Sequence, residues 1–309
     1  MDYDLAIIGC GPAGMSAAMY AGRLGMKTVV FEAKMYGGNM AIAHIIENYP
    51  GFERISGIEL AEKMLTQVKK AGAQVINEGV IEIKKTDDYF NVITDRNNTY
   101  TARSVILATG GEYKRLGIEG EDRFIGKGVS YCPNCDGPLF KNKNVAVIGG
   151  GNHAVYGALY LADIVRNVYL VHSERELKAE AARILQLKDK KNVHIFSGYV
   201  VVEIFGTDVV TKLKIEEVEN TSSKELAVDG VFVCIGEIPL VTLAKSLGVK
   251  IDDKGNIVVD SDKATNIRGV FAAGDVTGGI HQIITAAGDG AIAAINALRY
   301  LQELKYKKQ

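Results

Sequence analysis

One pattern occurs twice in this chain. Residues 4–32, DLAIIGCGPAGMSAAMYAGRLGMKTVVFE, and residues 144–172, NVAVIGGGNHAVYGALYLADIVRNVYLVH, align without a gap at an offset of 140. Each copy reads as an apolar strand, a tight glycine turn, an Ala-rich helix and a β-branched strand. A strand directly before the glycines and a helix directly after them is the context in which G-x-G-x-x-G holds a dinucleotide. The repeat predicts an α/β chain made of two nested, Rossmann-like, three-layer domains.

In the first copy Gly9 permits the turn, Gly11 lets backbone approach a pyrophosphate, and Gly14 lets helix and strand pack closely. Glu32 ends the second strand, where a carboxylate can accept hydrogen bonds from a ribose. The second copy keeps Gly149 and Gly151, with Ala154 at the third glycine position. His172 stands where the first copy has Glu32, so the pyrophosphate half of the signal survives and the ribose carboxylate does not.

Further buried strands are SVILATGG (104–111), GVFVCIGEIP (230–239) and GVFAAGDVTGG (269–279). The last places Gly274 and Asp275 before the apolar helix IITAAGDGAIAAINALRYL, where an acid can bond a sugar-alcohol hydroxyl or simply cap the helix. Because this segment completes a domain begun at the N-terminus, the second repeat is inserted in the first. The expected domains are 1–114 with 241–309, and 115–240. Two fingerprints imply two dinucleotides, and a flavin with a nicotinamide is the usual reason in oxidoreductases.

At 309 residues and a net charge of −1, the chain has the balance of a soluble globular protein and no basic block that would suggest nucleic acid. The short tail Lys305–Lys308 reads as a solvated helix end. No apolar run is long enough for a membrane span, and the start, MDYDLAIIGCG, reads as a strand and not as a signal peptide. Four cysteines without secretion signals suggest a reducing cytosol, where a C-x-x-C is more often catalytic or metal-binding than a structural bridge.

That C-x-x-C is Cys132-Pro133-Asn134-Cys135. A structural zinc needs four ligands, and no second pair or suitably spaced histidines accompany it, so no metal is expected. Cys10 and Cys234 lie in apolar strands and read as small buried hydrophobes. A redox dithiol needs two sulfurs near enough to close a disulfide and a favoured thiolate, and a helix start supplies both. Asp136 can give or take the proton that moves with each exchange.

With these pieces assembled, the sequence resembles the low-molecular-weight thioredoxin reductases over essentially its whole length. The carrying motifs, in family order, are GCGPAG (9–14), GGNM (37–40), ENYPG (47–51), ATG (108–110), GVSYCPNCDG (128–137), GGGNHA (149–154), FAAGD (271–275) and HQIITAAGDG (281–290). The resemblance implies FAD in the first domain. Gly9, Gly11, Pro12, Ala13 and Gly14 would hold its pyrophosphate, and Phe31 and Glu32 its ribose. Gly38, Asn39, Asn48, Thr109 and Gly110 would line the flavin side, with Val80 near the adenine. Gly274 and Asp275 would meet the ribityl chain, and His281, Gln282 and Ile283 the ring. Asn39 and His281 depart from the family's Gln and Arg.

The resemblance also implies that Cys135 faces the flavin while Cys132 attacks a disulfide in a thioredoxin-like protein. Rotation of the smaller domain would expose the pair to each in turn. A cytoplasmic homodimer with thioredoxin-disulfide reductase activity follows from the same likeness. The rivals are a related flavoprotein fed by another carrier such as reduced ferredoxin, and a non-enzymatic redox sensor.

One motif departs. The family's H-R-R-x-x-x-R, which clamps the NADPH 2′-phosphate, here reads HSERELK over 172–178. Gly149, Gly151, Asn152, Ala154, His172 and Glu174 form the candidate NAD(P) set, but Ser173 and Glu174 replace the arginine pair and Lys178 the third arginine. A carboxylate beside a phosphate repels it. NADH, weak or atypical NADPH use through Arg175, Lys178 and Arg183, and a different donor all remain open.

Overall fold

The computed structural model describes residues 2–43, 45–220 and 222–306. Lys307 and Lys308 of the basic tail lie outside them. The chain divides into two compact units, residues 1–112 with 238–309 and residues 113–237.

The larger unit opens with β1 (Tyr3–Ile8), α1 (Pro12–Arg23) and β2 (Thr28–Phe31). It continues through α2 (Gly57–Lys70), β3 (Gln74–Ile76), β4 (Val80–Lys85), β5 (Phe90–Thr94) and β6 (Thr99–Leu107), and β7 (Gly111–Tyr113) follows. The smaller unit begins with β8 (Val129–Ser130), α3 (Pro133–Asp136), β9 (Asn144–Ile148), α4 (Asn152–Ala162), β10 (Asn167–His172) and α5 (Ala181–Lys188). Strands β11 (Val193–Ser197), β12 (Tyr199–Gly206), β13 (Val210–Glu217), β14 (Ser223–Ala227) and β15 (Gly230–Val233) complete it. After β16 (Glu237–Pro239) come α6 (Thr242–Ser246), β17 (Val270–Ala272) and α7 (Ile283–Tyr306).

Local sequence explains these elements. In β1, Leu5 and Ile7 pack on one face while Ala6 and Ile8 pack on the other, all of them buried. A strand covered on both faces needs such an unbroken apolar run. Helix α2 starts at Ser56, whose Oγ accepts the backbone N–H of Glu59 at 3.2 Å. It ends on Lys69 and Lys70, which complement the carbonyl end.

In the larger unit β3, β2, β1, β6 and β17 pair in parallel, and β4–β5–β6 form an antiparallel meander. The smaller unit has the parallel order β11-β10-β9-β15-β8 and a separate antiparallel β12-β13-β14. The repeat therefore extends beyond the 4–32 and 144–172 segments. One difference is instructive. Strand β6 joins the parallel and antiparallel parts of one seven-stranded sheet in the larger unit, whereas the smaller unit divides that work between β15 and β14 in two separate sheets. Helix, parallel sheet and antiparallel sheet form three layers in the smaller unit, with α4 over Val145 and Val147 and the antiparallel strands over Ala146 and Ile148. Among the described residues no helix is long and apolar enough to cross a membrane.

In both units strand order reverses beside the first strand, between β1 and β6 and between β9 and β15. Open α/β sheets bind ligands outside the carboxyl ends of the strands at that switch point. The two glycine turns lie there.

Candidate active site

In the larger unit Gly9 has φ +105°, and a Cβ there would stand 2.3 Å from the Ala108 carbonyl oxygen at the end of β6. Gly14 is tighter still, with its Cβ position 1.9 Å from Gly9 O. Gly11 caps α1 and Pro12 opens it, with no acidic side chain in the first turn. A Cβ on Gly11 would meet nothing nearer than Gly37 O at 3.9 Å, and one on Gly38 only the Gly11 Cα at 3.6 Å. This backbone-walled cradle at a helix N-terminus fits a pyrophosphate.

Glu32 stands at its rim. Its carboxylate accepts the N–H of Cys10 at 2.8 Å and that of Lys34 at 2.9 Å. Phe31 is buried beneath it. Gly79, which precedes Val80, brings its Cβ position within 3.3 Å of the Ala33 Cβ, so the start of β4 returns beside Glu32. Asn39 Nδ2 donates to Gly111 O at 3.0 Å, and Thr109 Oγ1 to Leu240 O at 2.7 Å. Gly110 accepts the N–H of Leu240. Gly274 lies against Ala13, its Cβ position 2.8 Å from that side chain, and Asp275 opens the turn that follows. Asn48 Nδ2 donates to Gln282 Oε1 at 3.1 Å. His281, at φ +50°, turns the chain just before Ile283 begins α7. The first-copy residues, Gly38, Asn39, Thr109 and Gly274 thus surround one helix end, and the residues present fit a dinucleotide.

The smaller unit holds a cleft of about 580 Å³ lined by the 149–153 turn, 171–174, Glu176, Lys178 and 199–201. Gly149 repeats the relation of Gly9, its Cβ position 2.4 Å from Cys234 O at the end of β15. A Cβ on Gly151 would meet nothing within 4 Å, and Ala154 is fully buried. This turn also fits a pyrophosphate. The ribose side is different. His172 is buried, its Nε2 within 2.8 Å of Ser197 Oγ and its Nδ1 without a partner. Burial pushes its pKa below the ordinary histidine value, against a weaker upward pull from Glu174.

The segment after His172 folds back over the glycine turn. Lys178 N–H donates to Gly150 O at 2.8 Å, and Asn152 Oδ1 accepts the N–H of Glu180 at 2.8 Å. Each candidate cation has an acidic partner: Lys178 pairs with Glu174, Arg183 with Glu180 at 2.9 Å, and Arg175 with Glu219. Exposed pairs of this kind add little stability. They do neutralise the charge that a 2′-phosphate would need.

In the same unit Cys132 and Cys135 form a disulfide with their Cα atoms 5.3 Å apart. Cys132 caps α3, and a 3-10 turn over Gly137–Phe140 continues that helix. In its first turn the backbone N–H of Cys135 points at Cys132 Sγ from 3.2 Å. Pro133 packs on Gly157 of α4 and Gly137 on Leu161 and Tyr160, which seats the segment on that helix. Among the described residues no three His, Cys, Asp or Glu side chains gather as metal ligands would.

Several residues that the sequence patterns did not single out hold these parts in place. Asp289 of α7 accepts the Gly274 N–H at 3.3 Å and pairs with Lys263 at 2.6 Å. Tyr131 stacks on Tyr113 at 5.0 Å, donates to buried Glu121 and accepts from Arg115, each at 2.9 Å. Ser130 Oγ donates to Asp136 Oδ2 at 2.6 Å and accepts the N–H of Cys132 at 3.1 Å. Asp289 and Ser130 sit inside motifs that were legible, but their roles arise from contacts that spacing does not encode.

Comparison with known proteins agrees with this layout. The profile of the family described as "Pyridine nucleotide-disulphide oxidoreductase" matches residues 3–290. The thioredoxin reductase of Treponema pallidum is 42% identical over 308 residues, covering 98% of this chain and 99% of its own. That of Listeria innocua is 41% identical over 307 residues, covering 98% and 95%. The crystal structure of thioredoxin reductase from Streptococcus pyogenes superposes with a TM-score of 0.93 at 39% identity, covering 97% of this chain and 98% of that one. Likeness that runs end to end, through both glycine turns and the dithiol between them, means that the chain belongs to the pyridine nucleotide-disulphide oxidoreductases, in the low-molecular-weight thioredoxin reductase family.

Proposed function

We propose that this chain is a thioredoxin-disulfide reductase that draws on FAD and a nicotinamide dinucleotide and reduces a thioredoxin-like protein through Cys132 and Cys135. The observation that carries the reading is the Cys132–Cys135 disulfide in C-P-N-C-D-G, set on the same unit as the second glycine turn. Membership of the family implies FAD and a nicotinamide cofactor.

The larger unit would be the FAD domain. Gly9, Gly11, Pro12, Ala13 and Gly14 would hold the pyrophosphate, and Phe31 and Glu32 the adenosine ribose, with Val80 near the adenine. Gly38, Asn39, Asn48, Thr109, Gly110, Gly274, Asp275, His281, Gln282 and Ile283 would meet the rest. Bound there, FAD would supply a carrier that accepts a hydride equivalent and can reduce a disulfide.

In the reduced pair, the Cys132 thiolate attacks one sulfur of the partner's disulfide. A mixed disulfide forms, and the other partner sulfur leaves as a thiolate that takes up a proton. Cys135, as thiolate, then attacks Cys132 Sγ, releasing the second partner sulfur and closing Cys132–Cys135. Two electrons and two protons pass to the partner. The Cys135 N–H steadies negative charge on Cys132, and Asp136 carries the protons.

The smaller unit would take NADH in preference to NADPH. Gly149, Gly151, Asn152 and Ala154 form its pyrophosphate turn, with His172 and Glu174 beside the ribose. Among the described residues of 173–183, Arg175, Lys178 and Arg183 are all neutralised by acids. A phosphate placed near Glu174 would meet a repulsion of roughly 1–4 kcal/mol per charge pair at contact distance. The family resemblance further suggests a homodimer working in the cytoplasm.

Anaerobic stopped-flow bleaching of the flavin, with NADH and NADPH in separate experiments, tests this. Faster bleaching by NADH is expected. Faster bleaching by NADPH overturns the dinucleotide reading. No bleaching by either, with dithionite still able to drive thioredoxin reduction, points to another carrier such as reduced ferredoxin. Thioredoxin turnover that survives Cys132→Ser overturns the dithiol reading itself.

A further inference from the structure

We infer that Ser130 is a positioning residue for the dithiol reaction: its hydroxyl links the backbone N–H of Cys132 to the Asp136 carboxylate and holds that carboxylate beside the reacting pair. The inference rests on the reading of Asp136 as proton carrier and adds a residue to it.

The hydroxyl has one proton to give and two directions for it. Asp136 Oδ2 is 2.6 Å away, while the Cys132 carbonyl is 3.5 Å away. A short bond to a carboxylate is about twice as strong as a neutral one, so the proton goes to Asp136. The oxygen then accepts the Cys132 N–H at 3.1 Å. The result is a directed chain, Cys132 N–H to Ser130 Oγ–H to Asp136, in which each bond polarises the next.

Ser130 cannot easily leave this place. It is 6% exposed and pairs with Phe232 in β15. The next residue, Tyr131, is pinned by Tyr113, Glu121 and Arg115. Asp136 is tied at its other end, its backbone N–H donating to Cys132 O at 3.1 Å. Without the hydroxyl, the main chain would stay and the carboxylate would lose its 2.6 Å bond to residue 130 and the link to the Cys132 N–H. Proton transfer depends on such placement within hydrogen-bond reach.

The test is a double-mutant cycle on the holoenzyme, with oxidised thioredoxin as the probe and kcat and KM measured separately. Asp136→Asn is expected to lower kcat about a hundredfold, within the usual range for a general acid–base. Ser130→Ala is expected to lower kcat about tenfold with KM unchanged, and Ser130→Thr, which keeps the hydroxyl, to recover most of it. In the Asp136→Asn background Ser130→Ala should cost nothing further, because residues that act as one unit are not additive. A full tenfold loss in that background means that Ser130 serves structure alone and overturns the inference, as does a wild-type kcat for Ser130→Ala. Wild-type kcat in Asp136→Asn removes the proton-carrier reading instead.

Discussion

Glu32 Oε2 accepts the backbone N–H of Cys10 at 2.8 Å, which locks the end of β2 to the glycine turn after β1. The second copy of the repeat has no such lock: His172 stands at the matching place with its Nδ1 unpartnered, 3.2 Å from the Cβ position of Gly150. Two turns of the same pattern are thus held in different ways, and the difference falls where each second strand ends.

Replacing Glu32 by Ala removes this lock and the proposed ribose acceptor together. A hydrogen bond to a charged group contributes about 1.5–3 kcal/mol. FAD should bind one to two orders of magnitude more weakly, measured by titrating flavin into the apoprotein. Affinity within twofold of the parent would argue against Glu32 as a ribose ligand.

The third position of each fingerprint should respond to substitution by very different amounts. Gly14→Ala forces a methyl to 1.9 Å from Gly9 O, where only backbone can yield. The thermal transition that releases flavin should move down by several degrees. Ala154→Gly creates no overlap and should cost only about 1 kcal/mol through helix propensity.

Thiol titration should divide the four cysteines into two pairs. Cys10 and Cys234 are buried, and burial pushes each thiol up to about 12, with Glu32 adding to the effect at Cys10. After reduction, a disulfide reagent at pH 8 should find two fast thiols in the native protein and four in denaturant. Three fast thiols would show that one of the strands opens.

His172 should give the protein an acid-side weakness. Its folded pKa lies below the ordinary value of 6.5, so the unfolded chain binds the proton first. This contribution to stability is complete above about pH 6.5 and is lost as pH falls below it. Plotted against pH, the melting temperature of His172→Gln should fall less steeply below 6.5 than that of the parent.

Ser173→Arg with Glu174→Arg should improve NADPH use. The change removes the repelling carboxylate, adds two cations and frees Lys178 from its partner. At least a tenfold rise in kcat/KM for NADPH is expected from steady-state assays. No change would place the obstacle elsewhere in the cleft.

The α/β class with parallel sheets was legible because its signals are local. Strand, turn and helix in residues 4–32 follow from apolar runs, glycines and small residues a few positions apart. The same holds for Cys132 and Cys135, which two intervening residues bring within bonding range. The helix start at the dithiol was legible too, since Pro133 opens α3 directly after Cys132 and the Cys135 N–H turns to Cys132 Sγ.

Side-chain commitments were not legible in this way. HSERELK displays its charges, but Arg175 is neutralised by Glu219, 44 residues on, and Asn152 is taken by Glu180, 28 residues on. By itself the sequence determined the elements, their repetition and the dithiol, since backbone periodicity and short spacing act within a few residues. Only the tertiary structure decided which charges of the second turn are spoken for, and that Ser130 stands between Cys132 and Asp136. Those outcomes depend on directions and distances between side chains that meet only once the sheets are assembled.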